Sequence, residues 1–276
     1  MESIFGLIID KAVTSIDPEV HSEIMARIKK AEQEHNIKVL YAIESGSRSW
    51  GFASPNSDYD VRFIYIHPKD WYLSVMLEYK RDVIEYPIVD DIDINGWELR
   101  KALKLLKASN PAVGEWLNSP IVYINDENFK SQVQVLFARY YRTDRGLYHY
   151  VNMAKSNYRG YLKQDMVPLK KYLYVLRALC AARWIERNDS PPPIEFSVLV
   201  DGVIEDAQLL AQINAVVVKK QQATEKSMVP VITPLNEFIE SELNYFENNI
   251  NKSDNHEQDP SYLDAFFQNR LSHITC

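Results

Sequence analysis

Cysteine is almost absent from the chain. Its two residues in 276, Cys180 and Cys276, give neither a disulfide framework nor the paired spacing of a zinc site. The expectation is a reducing, cytoplasmic compartment. The six histidines add no zinc spacing: His21 and His35 fall on the first predicted helix, His67 precedes Pro68, His149 lies between two tyrosines, and His256 and His273 are close to the end. No uninterrupted apolar run reaches membrane-spanning length, so no membrane partner is expected. The first ten residues are apolar but short, acidic and without a basic leader, which excludes a convincing signal peptide. Internal repeats and low-complexity tracts are also missing.

Positive charge is in short supply too. The net charge of −7 argues against a surface coated for nucleic acid. Locally the balance changes sign. From Arg139 to Arg187 there are eleven Lys and Arg against three acids, whereas Asn236 to Asp264 carries eight acids against Lys252 alone. A basic middle and an acidic loop in the first half are what an anionic, metal-bound ligand would use. The 46% hydrophobic and 25% charged content is ordinary for a soluble globular protein, and the length suits one large domain or two ordinary ones.

The first half alternates strands and helices. Asp17-Pro18 reads as a cap and first helical residue, opening a helix to about Asn36. Val39–Ile43 and Asp60–Ile66 read as buried strands, with further candidates at Val83–Tyr86, Asp91–Ile94 and Ile121–Ile124. Gly96 is expected to open a helix running to about Ala108, and Val113–Leu117 to form a short turn. The second half reads as almost wholly helical, with helices near 127–142, 145–164, 168–188, 203–222, 234–250 and 260–271. The fold class expected is α+β: a mixed sheet with helices over residues 1–125, then an all-helical domain over 126–276.

The chemistry gathers in Ile43-Glu44-Ser45-Gly46-Ser47-Arg48-Ser49-Trp50-Gly51 and Ser57-Asp58-Tyr59-Asp60-Val61-Arg62. Gly46-Ser47 forms a small bare turn after a strand, where backbone can approach a polyanion closely and Ser47 adds a hydroxyl. Arg48 is either a nearby cation for that anion or a solvated loop charge. Asp58 and Asp60 are two apart, so in a strand they share a face. Carboxylates that close repel each other, and a hard divalent cation relieves the repulsion. Arg62 shares the same face, so an ion pair with Asp60 is the competing account. A third carboxylate is expected from a neighbouring strand: Asp93, between Ile92 and Ile94, has Asp91, Asp90, Glu85 and Glu98 as rivals. Three carboxylates holding two Mg²⁺ ions, or Mn²⁺, permit in-line attack on a phosphoryl group.

This order of strand, Gly-Ser, spacer, Asp-x-Asp and later strand Asp resembles the nucleotidyltransferase superfamily that includes DNA polymerase β. More closely, Glu44–Phe52 and Ser57–Phe63 are similar to the RlaP/YcgL-type predicted nucleotidyltransferases. His67-Pro68, Trp71-Tyr72-Leu73, Glu115–Pro120 and Lys170–Arg177 extend the resemblance over roughly residues 38 to 200. It implies that Gly46 and Ser47 hold a triphosphate, Asp58 and Asp60 both metals, and Asp93 the catalytic metal or the incoming hydroxyl. Helical domains of that superfamily often close over the nucleotide. Lys155, Arg159 and Lys163 lie at i, i+4 and i+8 on one helix face, and with Lys171 they are the candidate phosphate contacts. A solvated face is the alternative for that stripe.

The expected function is therefore metal-dependent transfer of a nucleoside monophosphate from an NTP to an acceptor, with release of pyrophosphate. RNA, a protein side chain or a small molecule would serve as acceptor. The alternative is a non-catalytic nucleotide-binding or RNA-associated regulatory module of the same fold.

Overall fold

The computed structural model describes residues 16–222, 227–250 and 258–274. The N-terminal apolar stretch, His256 and Cys276 lie outside the described residues. Helix α1 (Pro18–His35) starts as its sequence asks. Asp17 accepts from the backbone N–H groups of Glu19 and Val20, Pro18 fills the first turn, and Asn36 ends the helix in the left-handed conformation. Strands β1 (Lys38–Glu44) and β2 (Tyr59–Ile66) follow. Between them the expected bare turn is instead a five-residue helix, α2 (Gly46–Trp50), entered through Gly46 at φ +62°. After α3 (Lys69–Tyr72) come β3 (Val83–Glu85) and β4 (Ile92–Glu98).

Gly96, expected to open a helix, lies inside β4. The Phe63 ring fills the space beside it, where a Cβ would come within 2.2 Å of Phe63 Cε2. Helix α4 (Leu99–Lys107) begins only after Glu98, whose carboxylate caps it by accepting from the N–H groups of Arg100 and Lys101. The segment expected as a turn near Val113 is helix α5 (Pro111–Asn118), capped by Asn110. Strand β5 (Val122–Asn125) and helix α6 (Phe129–Tyr140) complete this stretch.

The described residues form a five-stranded mixed sheet in the order β3-β4-β2-β1-β5. Strands β2 and β4 are parallel, and the other pairs are antiparallel. Residues 39–44 of β1 are buried throughout because both faces of the sheet are covered. On one face Val39, Ala42, Val61 and Phe63 meet Ile24, Ile28 and Ala31 of α1. On the other, Leu40, Ile43 and Ile64 join side chains of α4, α5 and α6. Each such buried aliphatic side chain stabilises the fold by about 1.5–3 kcal/mol.

Close contacts divide the described chain into two compact units. The sheet unit holds residues 16–46, 58–141 and 258–274, and the helical unit holds 47–57, 142–222 and 227–250. One passage between the units falls between Tyr141 and Arg142. Helix α6 stays with the sheet unit: Phe129, Val133, Leu136, Phe137 and Tyr140 are buried in its core.

The helical unit contains α7 (Thr143–Tyr161), α8 (Leu169–Asn188), α9 (Phe196–Val203), α10 (Ala207–Gln222) and α11 (Thr233–Asn249). A short antiparallel ribbon of β6 (Met166–Pro168) and β7 (Met228–Pro230) was not expected there. Helix α9 was not expected, and the helix expected over 203–222 starts at Ala207, because Asp206 caps α10 by accepting from the N–H groups of Gln208 and Leu209. A last helix, α12 (Ser261–Ser272), belongs to the sheet unit through Leu263, Phe266 and Phe267. Among the described residues no helix is long and apolar enough to cross a membrane.

Candidate active site

Strand pairing brings the acids together. Asp60 on β2 and Asp93 on β4 are direct partners in the parallel register. Their side chains meet at one nitrogen: Arg62 Nη2 lies 3.0 Å from Asp60 Oδ1 and 2.7 Å from Asp93 Oδ2. The same guanidinium donates through Nη1 to the carbonyl oxygens of Val61 and Asp93. Asn95 Nδ2 holds the other Asp93 oxygen at 2.6 Å. All three charged side chains keep 19–26% exposure, so solvent reaches them.

The rivals of Asp93 are elsewhere. Asp90 and Asp91 sit in a tight turn at positive φ, ahead of β4, and Asp90 pairs with Arg27. Glu85 pairs with Arg81 on edge strand β3. Glu98 is buried at the far end of β4, where burial pushes its carboxyl pKa up although Tyr72 Oη donates to it.

Glu44 has a role that sequence reasoning did not assign. Fully buried at the end of β1, it accepts from Asp60 N through Oε1 and from Tyr123 Oη through Oε2, each at 2.8 Å. A carboxylate closing an apolar strand was the available signal, since a buried acid needs donors. Gly46 completes the arrangement. A Cβ there would stand 2.1 Å from Asp60 Oδ2, so the carboxylate packs directly on the glycine backbone.

Asp58 stands immediately before β2. Among the described residues no three Asp, Glu, His or Cys side chains are gathered to hold a metal ion. The donor chemistry of Asp60 and Asp93 still suits a hard divalent cation. Two carboxylates from adjacent strands converge on one positive centre, the Arg62 guanidinium.

The remaining candidates lie in the helical unit. Ser47 is buried, and its carbonyl accepts from Gly51 N and Phe52 N. Arg48 is not a solvated charge: it is 3% exposed and donates to the Ser57 carbonyl at 2.7 Å. The basic stripe is answered by acids of α11. Lys155 pairs with Glu247, which Arg159 also approaches at 3.9 Å, and Tyr158 Oη bonds to Glu240. Lys163 Nζ lies 5.5 Å from the Tyr158 ring. Lys171 sits 4.0 Å from the Tyr161 ring and 3.3 Å from Asn157 Oδ1, and burial, with Lys170 beside it, lowers its pKa.

The mixed sheet with an in-register Asp pair marks a protein of the nucleotidyltransferase type. More particularly, the chain belongs to the RlaP family, described as an RNA repair pathway DNA polymerase beta family, whose sequence profile matches residues 20–269. It is 44% identical over 220 residues to the uncharacterised protein YcgL of Bacillus subtilis strain 168, covering 80% of this chain and 84% of that one. Among solved structures, a nucleotidyltransferase-like protein of Exiguobacterium sibiricum aligns over 88% of this chain and 79% of its own, at 11% identity and a TM-score of 0.30.

Proposed function

We propose that the chain transfers a nucleoside monophosphate from an NTP to a hydroxyl or phosphate acceptor. The acceptor oxygen bonds to the α-phosphorus, the bond to the bridging oxygen breaks, and pyrophosphate leaves. The observation that carries this reading is the in-register pair Asp60 and Asp93 converging on one cationic centre beside Gly46. Asp60 and Asp93, with Asp58 preceding them, are the residues that would hold Mg²⁺ or Mn²⁺. Such an ion, when bound, neutralises phosphate charge and favours attack at phosphorus. Glu44 and Asn95 position the two carboxylates, and Gly46-Ser47 takes the triphosphate. Lys155, Arg159, Lys163 and Lys171 are second-choice phosphate contacts, because the first two are already paired to Glu247. The description of the family supports RNA as the acceptor. The buried free thiol of Cys180 supports a reducing, cytoplasmic setting.

Pyrophosphate release with each of the four NTPs, with and without Mg²⁺ and with RNA present, tests the proposal. Asp60→Asn is expected to lower release at least about 100-fold while its melting temperature stays within a few degrees of wild type. Full activity in that variant would sink the mechanism. A second reading, nucleotide binding without turnover, is favoured by Arg62, which already pairs with both acids. NTP-dependent stabilisation without any pyrophosphate release would select it.

A further inference from the structure

Strand β2 carries a second feature beyond the acids. Tyr65 lies five residues past Asp60, roughly 16 Å along the strand. Tyr65 and His67 are two apart and line one side of a cavity of about 370 Å³ in the sheet unit, together with Trp71, Lys80, Arg81 and Ile84. That volume is within the range of small-ligand sites.

Two polar side chains in its wall lack partners. Tyr65 is 1% exposed and His67 9%. Among the described residues neither the Tyr65 hydroxyl nor the His67 ring nitrogens have a hydrogen-bond partner, and both residues face the cavity. Neither belongs to the fully buried atoms left without a partner, so both open onto the cavity, where water or a ligand can reach them. Burial holds His67 down at a pKa of about 4, with Lys80 and His35 contributing, and raises the Tyr65 hydroxyl. At neutral pH the imidazole therefore offers one donor and one acceptor, and the hydroxyl does the same.

The rim supplies charge, and its pieces are fixed. The His67 ring stacks on Trp71 at 4.0 Å with planes 7° apart. Lys80 Nζ donates to the Trp71 carbonyl at 2.7 Å and lies 4.7 Å from its ring, which leaves two of its N–H groups for a ligand. Arg81 stands next to it and pairs with Glu85. Two cations against one carboxylate leave a positive rim over a wall with apolar and neutral polar surface.

We propose that this cavity binds a small organic anion of up to mononucleotide size. Its anionic group meets Lys80 and Arg81, and the polar edge of its body meets Tyr65 Oη and the His67 ring. Inorganic phosphate has no such body. The site is separate from the acidic pair and does not rest on the transfer reading.

The test is a titration of the full chain, in EDTA, with AMP, GMP, CMP, UMP and inorganic phosphate, followed by calorimetry and by the His67 ring signals in NMR. At least one nucleoside monophosphate is expected to bind and to shift the His67 signals. Tyr65→Phe, which keeps the ring, and Arg81→Ala, which alters an exposed side chain, are each expected to weaken binding about fivefold or more, the equivalent of one hydrogen bond or ion pair. Asp60→Asn is expected to bind as wild type does, which separates this site from the acids. Binding lost in Asp60→Asn but kept in Tyr65→Phe would overturn the proposal. So would phosphate binding as tightly as every nucleotide, or His67 signals that no nucleotide moves at 10 mM, about the weakest binding that calorimetry and NMR follow.

Discussion

Arg62 carries one positive charge and touches two carboxylates, so the group formed with Asp60 and Asp93 keeps one net negative charge. Replacing it by Met removes a cation that bridges the two acids and unmasks part of their repulsion. Because the acids are partly exposed, solvent screens much of the penalty, and a loss of about 1–2 kcal/mol is expected. Arg62→Met should therefore melt a few degrees lower in EDTA, and Mg²⁺ should raise its melting temperature more than that of wild type. Equal melting of the two proteins in EDTA would show that Arg62 does not compensate the acids. Part of this was legible beforehand. The two-residue spacing of Asp60 and Arg62 puts them on one face in any strand, and Ile92-Asp93-Ile94 marks an acid on an alternating strand. The contact between Arg62 and Asp93, 31 residues apart, was not legible, because it depends on the register of two parallel strands.

The segment 47–57 behaves as an element although only α2 within it is regular. Its aromatic residues pack on the helical unit: Trp50 lies 5.3 Å from the Tyr174 ring and 4.4 Å from the Arg177 guanidinium, and Phe52 meets Phe196 edge-on. Lys220 of α10, 2% exposed, donates to Ser54 Oγ at 2.9 Å and to Ser57 Oγ at 3.0 Å. Lys220 thus ties α10 to the end of segment 47–57, inside the helical unit. In Lys220→Met the two buried hydroxyls lose a charged donor, and a destabilisation of about 1–3 kcal/mol is expected in urea unfolding. Pyrophosphate release should fall with the folded fraction. Unchanged stability in the variant would remove Lys220 from that role. The regular elements themselves were largely legible from period and caps, as Asp17-Pro18 and the alternation of β2 show. What sequence could not supply was the allegiance of 47–57 and of α6, since both are decided by partners far along the chain. Lys220 in particular reads as an ordinary lysine near a helix end.

At the scale of the whole molecule, much of the charge asymmetry is resolved inside the helical unit. The basic middle meets Glu240, Glu242 and Glu247 of α11, and Arg183 alone pairs with both Glu186 and Glu242. Acids and bases distant in sequence thus cancel, which the running balance of the chain had set apart. Buried ionisable groups that do not cancel control how stability depends on pH. His67 is the clearest, with a folded pKa near 4 against 6.5 when free, caused first by burial and then by Lys80 and His35. Between these values the unfolded chain binds a proton that the folded one refuses, so stability rises with pH through the window and falls as the solution is acidified from about 6.5 to 4. Glu98 works in the opposite sense: its raised pKa lets the folded state take a proton first, which favours folding as pH falls. A comparison of variants separates the two. His67→Phe keeps a ring against Trp71 and cannot titrate. Between pH 7 and pH 5 wild type should lose about 1–2 kcal/mol more than His67→Phe in urea unfolding, with Glu98 common to both. Parallel pH profiles for the two proteins would mean that His67 titrates normally in the fold, and that water reaches its ring freely enough to charge it.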